Sequence, residues 1–567
     1  MSADLLLRGG TVVDGTGAPA RVADVAVTDG RVVAVGAEAT SGGARRTVDV
    51  GDRVVAPGFV DLHTHYDAQL LWDPSASPSP LHGVTTVFGG NCGFGLAPAD
   101  ASNTDYLARL MARVEGIPLP AIEAGVPWDW QDFGGYLDRL DAGGTSVNAG
   151  FLVGHCALRR QVMGASATGN EASDAEVAAM QALLEDALGA GAMGFSSSQA
   201  PTHNDGNGDP VPSRFASRDE LVALASVLGP HGGTQLELII PGCLNGFSDT
   251  EVDLMVDLCL AAQSPLNWNV LGVSAAGNHA HQLAASSAAA ERGARVVALT
   301  IPQSMRIRLS FLSGFVLDGL PGWREVIGTP VPERLRLLSD PAVRARLDAG
   351  AHSEDAGVLA NLARWERFTI AEAFTAETRA YEGRTVGEVA HERGVAPFDA
   401  LLDIVVADGL RTGLRPELPA EDDATWTARA DVWRDPRAVV GASDAGAHLD
   451  MFCMAGYSTF LVGPAVRDLG LLGIEEAVRL LTDVPARLYG LEGRGRIEPG
   501  AHADLVVFDP ATVGPGRERT LDDLPGGASR LVVESAGVER VLVAGTEIVA
   551  DGELTGATPG TVLRRGY

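Results

Sequence analysis

The sequence predicts an α/β fold with a parallel (β/α)8 TIM-like barrel in the middle of the chain. Three observations support this: a length of 567 residues, short apolar runs that alternate with helical patterns through the middle, and β-rich segments at both ends. The length is sufficient for a barrel of about 250 residues plus accessory parts. Alternating strands and helices are typical of a parallel sheet with helical crossovers.

Eight apolar runs are the predicted barrel strands. They lie near residues 56–62, 84–88, 147–153, 192–196, 234–240, 266–271, 295–301 and 438–443. Helices are predicted at 174–190 and 218–228, with Asp174 and Ser217 as caps. The last two strands are too far apart for one crossover, so residues 303–437 are predicted to form a largely helical insert, of a kind that often covers an active site.

Both ends of the chain alternate apolar and polar residues between Gly-rich turns, a pattern typical of antiparallel sheet. Clear runs lie at 22–27 and 31–35, and at 503–508 and 538–543. The two ends are therefore predicted to form one discontinuous domain. The predicted division is 1–55 for its first part, 56–490 for the barrel with its insert, and 491–567 for its second part.

The charge and the apolar pattern exclude several classes of partner. The net charge of -30 is spread along the chain, which argues against nucleic acid and anionic membranes and favours a small-molecule substrate. No apolar run reaches the roughly 18 residues of a membrane span, and the N-terminus lacks the pattern of a signal peptide. A cytoplasmic location is expected, and homo-oligomerisation stays open.

The side-chain inventory also limits the chemistry. All 43 basic residues are arginine, so neither a carbamylated lysine nor a lysine Schiff base can form. The five cysteines are odd in number and scattered, which argues against a disulfide framework.

A pair of histidines at the end of the first barrel strand is the strongest functional signal. His63 and His65 are two residues apart, so both point to the same face of a strand. Two imidazoles so placed make half of a divalent metal site. Other polar residues follow the later strands, at the edge where such barrels place catalytic groups. They include Cys92, His155, Ser196, Gln235, Glu237, Asn267, Asn269, Arg306 and Asp444.

Several motifs together resemble the amidohydrolase superfamily, and within it the N-acyl-D-amino-acid deacylase (D-aminoacylase) family. They span nearly the whole chain, at residues 57–65, 83–86, 90–94, 154–155, 194–196, 443–444, 495–500 and 503–508. The resemblance implies a TIM barrel with a small β-sandwich built from both termini. It also implies hydrolysis of the amide of an N-acyl-D-amino acid by a zinc-activated water. Asp444 matches the aspartate that moves the proton in this family.

The chain departs from the family at the tightly bound zinc. The family places histidines at the ends of strands five and six, where this chain has Gln235 and the run Asn267-Trp268-Asn269. Neutral amides are poor zinc ligands beside imidazole and thiolate. The expected ligand set is therefore His63, His65, Cys92 and Asp444, with one zinc ion per chain. Glu237 is a candidate substitute, and His279 and His281 are weaker ones.

Substrate-binding residues are predicted on chemical grounds. A substrate carboxylate needs a cation, and without lysine this must be arginine, so Arg306 and Arg308 are the candidates. His155 is either a substrate-binding or a structural histidine, and His448 could orient Asp444. Two alternatives stay open: an enzyme with a cyclic or natural-product amide or non-hydrolytic chemistry, and a metal-free binding protein on the same scaffold.

Overall fold

The computed structural model describes residues 2–275, 277–314, 316–417 and 421–565. Its strands are β1 (Ala3–Val12), β2 (Arg21–Thr28), β3 (Arg31–Val35), β4 (Ala44–Asp49), β5 (Val54–Pro57), β6 (Phe59–Asp61), β7 (Val84–Gly89), β8 (Asn148–Gly154), β9 (Gly194–Ser198), β10 (Gln235–Ile239), β11 (Leu266–Leu271), β12 (Val296–Thr300), β13 (Thr369–Glu372), β14 (Gly413–Arg415), β15 (Ala438–Val440), β16 (Leu505–Phe508), β17 (Gly514–Leu524), β18 (Ala528–Ala536), β19 (Val538–Val543), β20 (Thr546–Ala550) and β21 (Glu553–Leu554). Its α-helices are α1 (Thr104–Val114), α2 (Leu119–Gly125), α3 (Phe133–Gly143), α4 (His155–Met163), α5 (Asp174–Gly189), α6 (Arg218–Ser226), α7 (Gly242–Asn245), α8 (Asp249–Ala262), α9 (His279–Glu291), α10 (Arg324–Ile327), α11 (Val331–Leu338), α12 (Pro341–Ala351), α13 (Val386–Arg393), α14 (Pro397–Ala407), α15 (Asp423–Arg434), α16 (Tyr457–Val462), α17 (Pro464–Arg467), α18 (Ile474–Leu481) and α19 (Asp483–Leu488).

The middle of the chain forms one parallel sheet of eight strands in the order β6-β7-β8-β9-β10-β11-β12-β15. A parallel bridge between Thr64 and Ala445 joins the segment after β6 to the segment after β15. The His65 amide donates to the Ala445 carbonyl at 2.7 Å, and the Asp444 amide donates to the His63 carbonyl at 3.0 Å. The carboxyl ends of the first and last strands therefore meet.

The eight predicted strands are confirmed, with small changes at their ends. The fifth to seventh predicted runs enclose β10, β11 and β12. The run at 56–62 is divided, because β5 pairs with strands from the termini and only β6 joins the parallel sheet. Every residue of β7, β8, β9, β10 and β12 is buried, as expected for a parallel sheet covered on both faces.

Both predicted helices are present, and one of the two predicted caps is wrong. Helix α5 is capped by Ser173, whose Oγ accepts from the Glu176 amide at 3.4 Å. Glu176 in turn accepts from the Ser173 amide at 2.8 Å, which completes a capping box. Asp174 is therefore the first helical residue and not the cap. Ser217 is confirmed as the cap of α6, since it accepts from the Glu220 amide.

Strands from both termini share one nine-stranded sheet in the order β21-β20-β19-β16-β5-β1-β2-β3, with β4 paired to β1. The two ends of the chain join where β16 runs antiparallel to β5, with Val506 opposite Ala56. Side chains from both ends fill one apolar cluster, which includes Leu7, Val507 and Leu542. Burial of these shared side chains holds the two termini together.

A hairpin of β17 and β18 was not predicted from the sequence. Its strands carry many charged residues and lack a regular apolar alternation. Within the described part of the chain it pairs with no other strand, but the Leu531 amide donates to the Leu449 carbonyl at 2.5 Å. Arg530 also donates to the Ser77 carbonyl at 2.7 Å. The hairpin therefore lies against the segments that follow β6 and β15.

The segment 303–437 contains helices α10 to α15, as predicted, and also a small antiparallel pair of β13 and β14. Most of it has its own apolar core, which includes Trp323, Trp365 and Phe398. Helix α15 differs, because its Trp433 is buried in the core of the parallel sheet. No helix among the residues described above is long and apolar enough to cross a membrane.

Candidate metal centre

The four side chains chosen from the sequence as metal ligands lie close together at the carboxyl ends of the parallel strands. His63 and His65 follow β6, Cys92 follows β7, and Asp444 follows β15. The first three are buried, whereas the Asp444 side chain is 24% exposed. Cys92 and Asp444 have backbone φ angles of 56° and 58°, so the chain turns sharply at both positions.

The candidate ligand atoms are spaced like ligands of a metal ion. Cys92 Sγ lies 3.4 Å from His63 Nε2 and 3.9 Å from His65 Nε2. Asp444 Oδ1 lies 3.5 Å from His63 Nε2 and 3.1 Å from His65 Nε2. Zinc bonds of about 2.0–2.3 Å in a tetrahedron separate neighbouring ligand atoms by roughly 3.3–3.8 Å. The observed separations are compatible with a divalent ion.

A carboxylate oxygen without a partner lies beside these ligands. Glu237, the third residue of β10, accepts from the Cys92 amide through Oε2 at 2.7 Å. Its Oε1 is buried and has no hydrogen-bond partner among the described residues. Such an atom is costly to bury alone, and a bound cation would satisfy it. The donor set of imidazoles, thiol and carboxylates therefore fits the metal that the sequence implies.

The side-chain amides of strands five and six have different roles, and the structure places Gln235 at the start of β10 and not at its carboxyl end. Gln235 Nε2 donates to the Leu488 carbonyl at 2.9 Å, and Asn267 Nδ2 donates to the Leu236 carbonyl at 3.1 Å. Asn269 alone of the three contacts a candidate ligand, with Nδ2 3.2 Å from His63 Nε2. The weaker candidates His279 and His281 lie at the start of α9 and belong to neither group of side chains that could hold a metal.

Glu115 is a member of the site that the sequence reasoning missed. It directly follows α1, between the second and third strands of the parallel sheet, and is almost fully buried. Its Oε2 lies 3.4 Å from His65 Nε2. Glu115 was missed because it follows a helix and not a strand, so the rule that catalytic groups end parallel strands does not find it. Only its unusual burial, which a single sequence does not reveal, distinguishes it.

The charges around the two histidines favour a cation. Burial opposes charge on His65, but Glu115 and Asp444 outweigh it and raise the pKa of His65 to about 10. Burial raises the pKa of Glu115 to about 8 and that of Glu237 to about 8. Burial, followed by the charge of His65, lowers the pKa of His63 to about 3. A bound cation would take the place of the proton on His65 and let the carboxylates ionise.

Asp444 is a partly exposed carboxylate that its surroundings keep ionised. Burial opposes its charge, but the hydrogen bond from His65 and the nearby histidine charges hold its pKa below the usual range. His448 Nε2 lies 3.9 Å from Asp444 Oδ2, on the same turn of chain. The Ser443 hydroxyl accepts from the Ala445 amide at 3.0 Å and fixes the loop that carries Asp444.

A cavity of about 440 Å³ opens beside His448. Its walls come from four regions: the end of α1 with the segment after it, the insert, the segment after β15, and the β17–β18 hairpin. Arg308 lines this cavity, but its guanidinium bonds Glu372 at 2.5 Å and the Thr520 hydroxyl at 2.9 Å. Arg306 lines a separate cavity beside Phe460. Of the two predicted arginines, Arg308 alone is placed near the candidate site, and its charge is shared with Glu372.

His155 lies at the start of α4 and is fully buried. Its Nδ1 lies 2.9 Å from the Ser197 hydroxyl, and its Nε2 lies 2.9 Å from Glu220 Oε1. Glu220 also bonds Arg159, so the three side chains form a buried charged network. Both ring nitrogens of His155 are therefore engaged within the protein. This corresponds to the structural alternative that the sequence left open.

The amidohydrolase family matches residues 46–549 of this chain. The D-aminoacylase of Alcaligenes xylosoxydans xylosoxydans is 30% identical over 577 residues, which cover 99% of this chain and 98% of that protein. The N-acyl-D-aspartate deacylase of the same organism is 32% identical over 571 residues, which cover 100% and 95%. The chain therefore belongs to the amidohydrolase family, and its full-length relatives place it with the D-aminoacylases.

Solved structures resemble the chain over the same extent. A crystal structure of D-aminoacylase, described as defining a novel subset of amidohydrolases, is 28% identical with a TM-score of 0.65 and covers 99% of this chain and 100% of that one. The N-acyl-D-glutamate deacylase of Bordetella bronchiseptica is 27% identical with a TM-score of 0.64 and covers 100% of each chain. That deacylase is complexed with zinc and a phosphonate inhibitor that mimics the tetrahedral intermediate of its reaction.

Proposed function

We propose that this chain is a metal-dependent amidohydrolase that cleaves the amide bond of N-acyl-D-amino acids, a carbon–nitrogen bond outside peptides. The main support is that His63, His65 and Asp444 meet at one edge of the parallel sheet, in a chain that matches D-aminoacylases from end to end. A binding protein that had lost the reaction would have no reason to keep this buried, charged arrangement.

Each residue has a proposed role. His63, His65, Cys92 and Asp444 hold the metal, and we propose one zinc ion per chain. Zinc, when bound, lowers the pKa of a water molecule and polarises the acyl carbonyl. Asp444 takes up a proton at its carboxylate and passes it to the leaving amine, and His448 orients that carboxylate. The partial exposure of the Asp444 side chain, 24%, supports this role.

We propose that the substrate occupies the cavity beside His448. Of the candidates His155, Arg306 and Arg308, only Arg308 lines this cavity, so it is the best-placed receptor for a substrate carboxylate. Nε of this guanidinium is a buried donor with no partner among the described residues, which supports this role. Arg411 lines the same cavity and stacks on Phe374, with its guanidinium carbon 4.3 Å from the ring centre.

A second candidate substrate follows from the Arg308–Glu372 ion pair. Because Glu372 is paired with Arg308, this guanidinium offers less positive charge to a substrate carboxylate. A cyclic amide, which has no carboxylate, would suit such a cavity. Assaying cyclic amides beside N-acyl-D- and N-acyl-L-amino acids separates the two proposals.

The proposed domain division follows the prediction from sequence. Residues 1–55 and 491–567 form the two parts of a β-sandwich, and residues 56–490 form a TIM-like barrel. The insert at 303–437 covers the substrate cavity, and six of its residues, including Ser310 and Phe374, support this by lining the cavity wall.

The test of the function is release of the free amine from N-acetyl-D-amino acids by zinc-loaded wild type and by Asp444→Asn. We expect Asp444→Asn to lower kcat by about 10²- to 10⁴-fold, the usual range for loss of a general base. Asp468→Asn, at an exposed carboxylate, is the control and should match wild type. Full activity in Asp444→Asn, or no hydrolysis of any amide by the wild type, would contradict the proposal.

A further inference from the structure

We propose that Glu115 is a metal ligand of this chain, and that it forms a second ligand triad with His65 and Asp444 in place of the histidines absent from β10 and β11. This inference rests on the metal dependence proposed above. It concerns how the ion is held and does not depend on which amide is cleaved.

The geometry separates two overlapping groups of ligand atoms. In one group, His63, His65 and Cys92 place their ligand atoms within 4.8 Å of one another. In the other, His65, Glu115 and Asp444 do the same. His65 Nε2 belongs to both, at 3.4 Å from Glu115 Oε2 and 3.1 Å from Asp444 Oδ1. One imidazole and two carboxylate oxygens are donors that zinc and similar divalent ions accept.

The backbone holds Glu115 in place independently of its side chain. The Glu115 amide donates to the Met111 carbonyl at 3.0 Å, and its own carbonyl accepts from the His448 amide. The next residue, Gly116, has a φ of 60°, and a Cβ at this position would lie 3.0 Å from His448 Cα. Two backbones therefore meet closely here, and the contact fixes Glu115 against the loop that carries Asp444.

A purely structural role does not account for this carboxylate. Its side chain is only 4% exposed, and among the described residues its one ion pair is with His65. No arginine pairs with it within that part of the chain, and His65 is already shared with Asp444. A buried carboxylate is costly unless it is paired or coordinates a metal. Two carboxylates around one imidazole leave negative charge that a divalent cation would neutralise.

The histidines missing from strands five and six make this substitution chemically reasonable. Gln235 and Asn267 use their amide nitrogens on backbone carbonyls, so neither replaces an imidazole ligand. Glu115 instead reaches His65 from the segment between β7 and β8. A centre held this way is shifted toward Asp444, the proposed proton acceptor.

Zinc binding to Glu115→Gln tests the inference without any assay of hydrolysis. Metal-free wild type, Glu115→Gln and the exposed control Glu123→Gln are titrated with zinc against a chromophoric chelator, and Tm is recorded with and without zinc. We expect Glu115→Gln to bind zinc at least about tenfold more weakly, with a smaller zinc-induced rise in Tm. Glu123→Gln should match wild type. Glutamine keeps the hydrogen-bond acceptor, so unchanged zinc affinity in Glu115→Gln would overturn the inference.

A second variant keeps the test decisive if Glu115→Gln does not fold without metal. Glu115→Asp keeps the charge but withdraws it by one methylene, so we expect weakened zinc binding, and wild-type affinity would overturn the inference. Failure of the inference and failure of the proposed function are distinguishable. Wild type that binds no zinc contradicts both, whereas wild type and Glu115→Gln that bind zinc equally contradict only the role of Glu115.

Discussion

Two parts of the parallel sheet, β6 with β15 and β10 with β11, differ in what their polar side chains contact. Where β6 meets β15, the ligand atoms of His63, His65 and Asp444 face one another at 3.1 to 3.5 Å. On the side of β10 and β11, Gln235 and Asn267 donate instead to backbone carbonyls. His63, His65 and Asp444 lie beyond the carboxyl ends of their strands, where active-site residues gather in such folds, whereas Gln235 is the first residue of β10 and Asn267 the second of β11.

The difference shows that polar side chains of one parallel sheet can either bind a metal or stabilise the fold. An imidazole nitrogen can bind zinc, whereas a side-chain amide is a poor zinc ligand but a good donor to a carbonyl. In this chain Gln235 of β10 and Asn267 of β11 use that donor property. Asn267, for example, also lies 3.2 Å from the Tyr489 hydroxyl and ties β11 to the chain beyond α19. The candidate metal ligands follow β6, β7 and β15, and they are joined by Glu115 and by Glu237 of β10.

The largest expected effect is loss of the metal in His63→Ala. Removing a ligand on the β6–β15 side should lower zinc affinity by more than the roughly 10- to 100-fold seen when only a residue that orients a ligand is lost. Zinc content per chain after gel filtration, and amine release from N-acetyl-D-amino acids, measure the result. His352→Ala, at an exposed histidine, is the control. Normal zinc content in His63→Ala would contradict the proposal that His63 is a zinc ligand.

The next effect separates buried histidines that bind metal from those that only stabilise the fold. His82 is fully buried, with Nδ1 2.8 Å from the Thr459 hydroxyl and Nε2 3.1 Å from the Val533 carbonyl in β18. Burial lowers the pKa of His82 to about 4. The unfolded chain, with an ordinary histidine pKa near 6.5, therefore binds the proton first as pH falls. Stability should be lost between about pH 6.5 and pH 4, by at most about 3 kcal/mol from this residue.

Urea unfolding at several pH values checks this expectation. In His82→Gln the fall in unfolding free energy across that window should become shallower, because the group that titrates is gone. Zinc binding at pH 7 should stay at the wild-type level, since His82 lies outside both ligand groups. The exposed control His352→Gln should keep the wild-type slope. An unchanged slope in His82→Gln would mean that another group is responsible for the loss of stability in acid.

Most of the parallel sheet and half of the candidate site could be predicted from sequence, for a local reason. Parallel strands are buried on both faces, so they form continuous apolar runs that are visible along the chain. His63 and His65 directly follow such a run, and Asp444 follows another, so the ends of the strands located them. The cap of α5 was misplaced by one residue because Ser173 and Asp174 are both good capping residues.

The rest depends on contacts between distant parts of the chain. Glu115 reaches His65 only because its backbone meets His448, more than 300 positions later, and no local pattern encodes that approach. The β17–β18 hairpin is likewise defined by where it lies, since its strands lack regular alternation. The pairing of Arg308 with Glu372 and Thr520 also joins the insert to this hairpin. Sequence alone gave Arg308 a free charge that these contacts remove.

The smallest effect should come from Asn267 of β11, whose amide bonds backbone and Tyr489 and not the metal ligands. Asn267→Ala removes the donor to the Leu236 carbonyl and the contact with the Tyr489 hydroxyl, both buried. Leaving these groups unpaired should lower the free energy of unfolding by about 1–3 kcal/mol, measured by urea denaturation. Zinc affinity should not change, because the Asn267 amide nitrogen is directed at the backbone. Asn170→Ala, at an exposed asparagine, should leave both stability and zinc affinity within error. If zinc affinity instead fell in Asn267→Ala to the extent seen in His63→Ala, Asn267 would belong to the metal centre, and the contrast between its structural role and the metal-binding role of His63 would be lost.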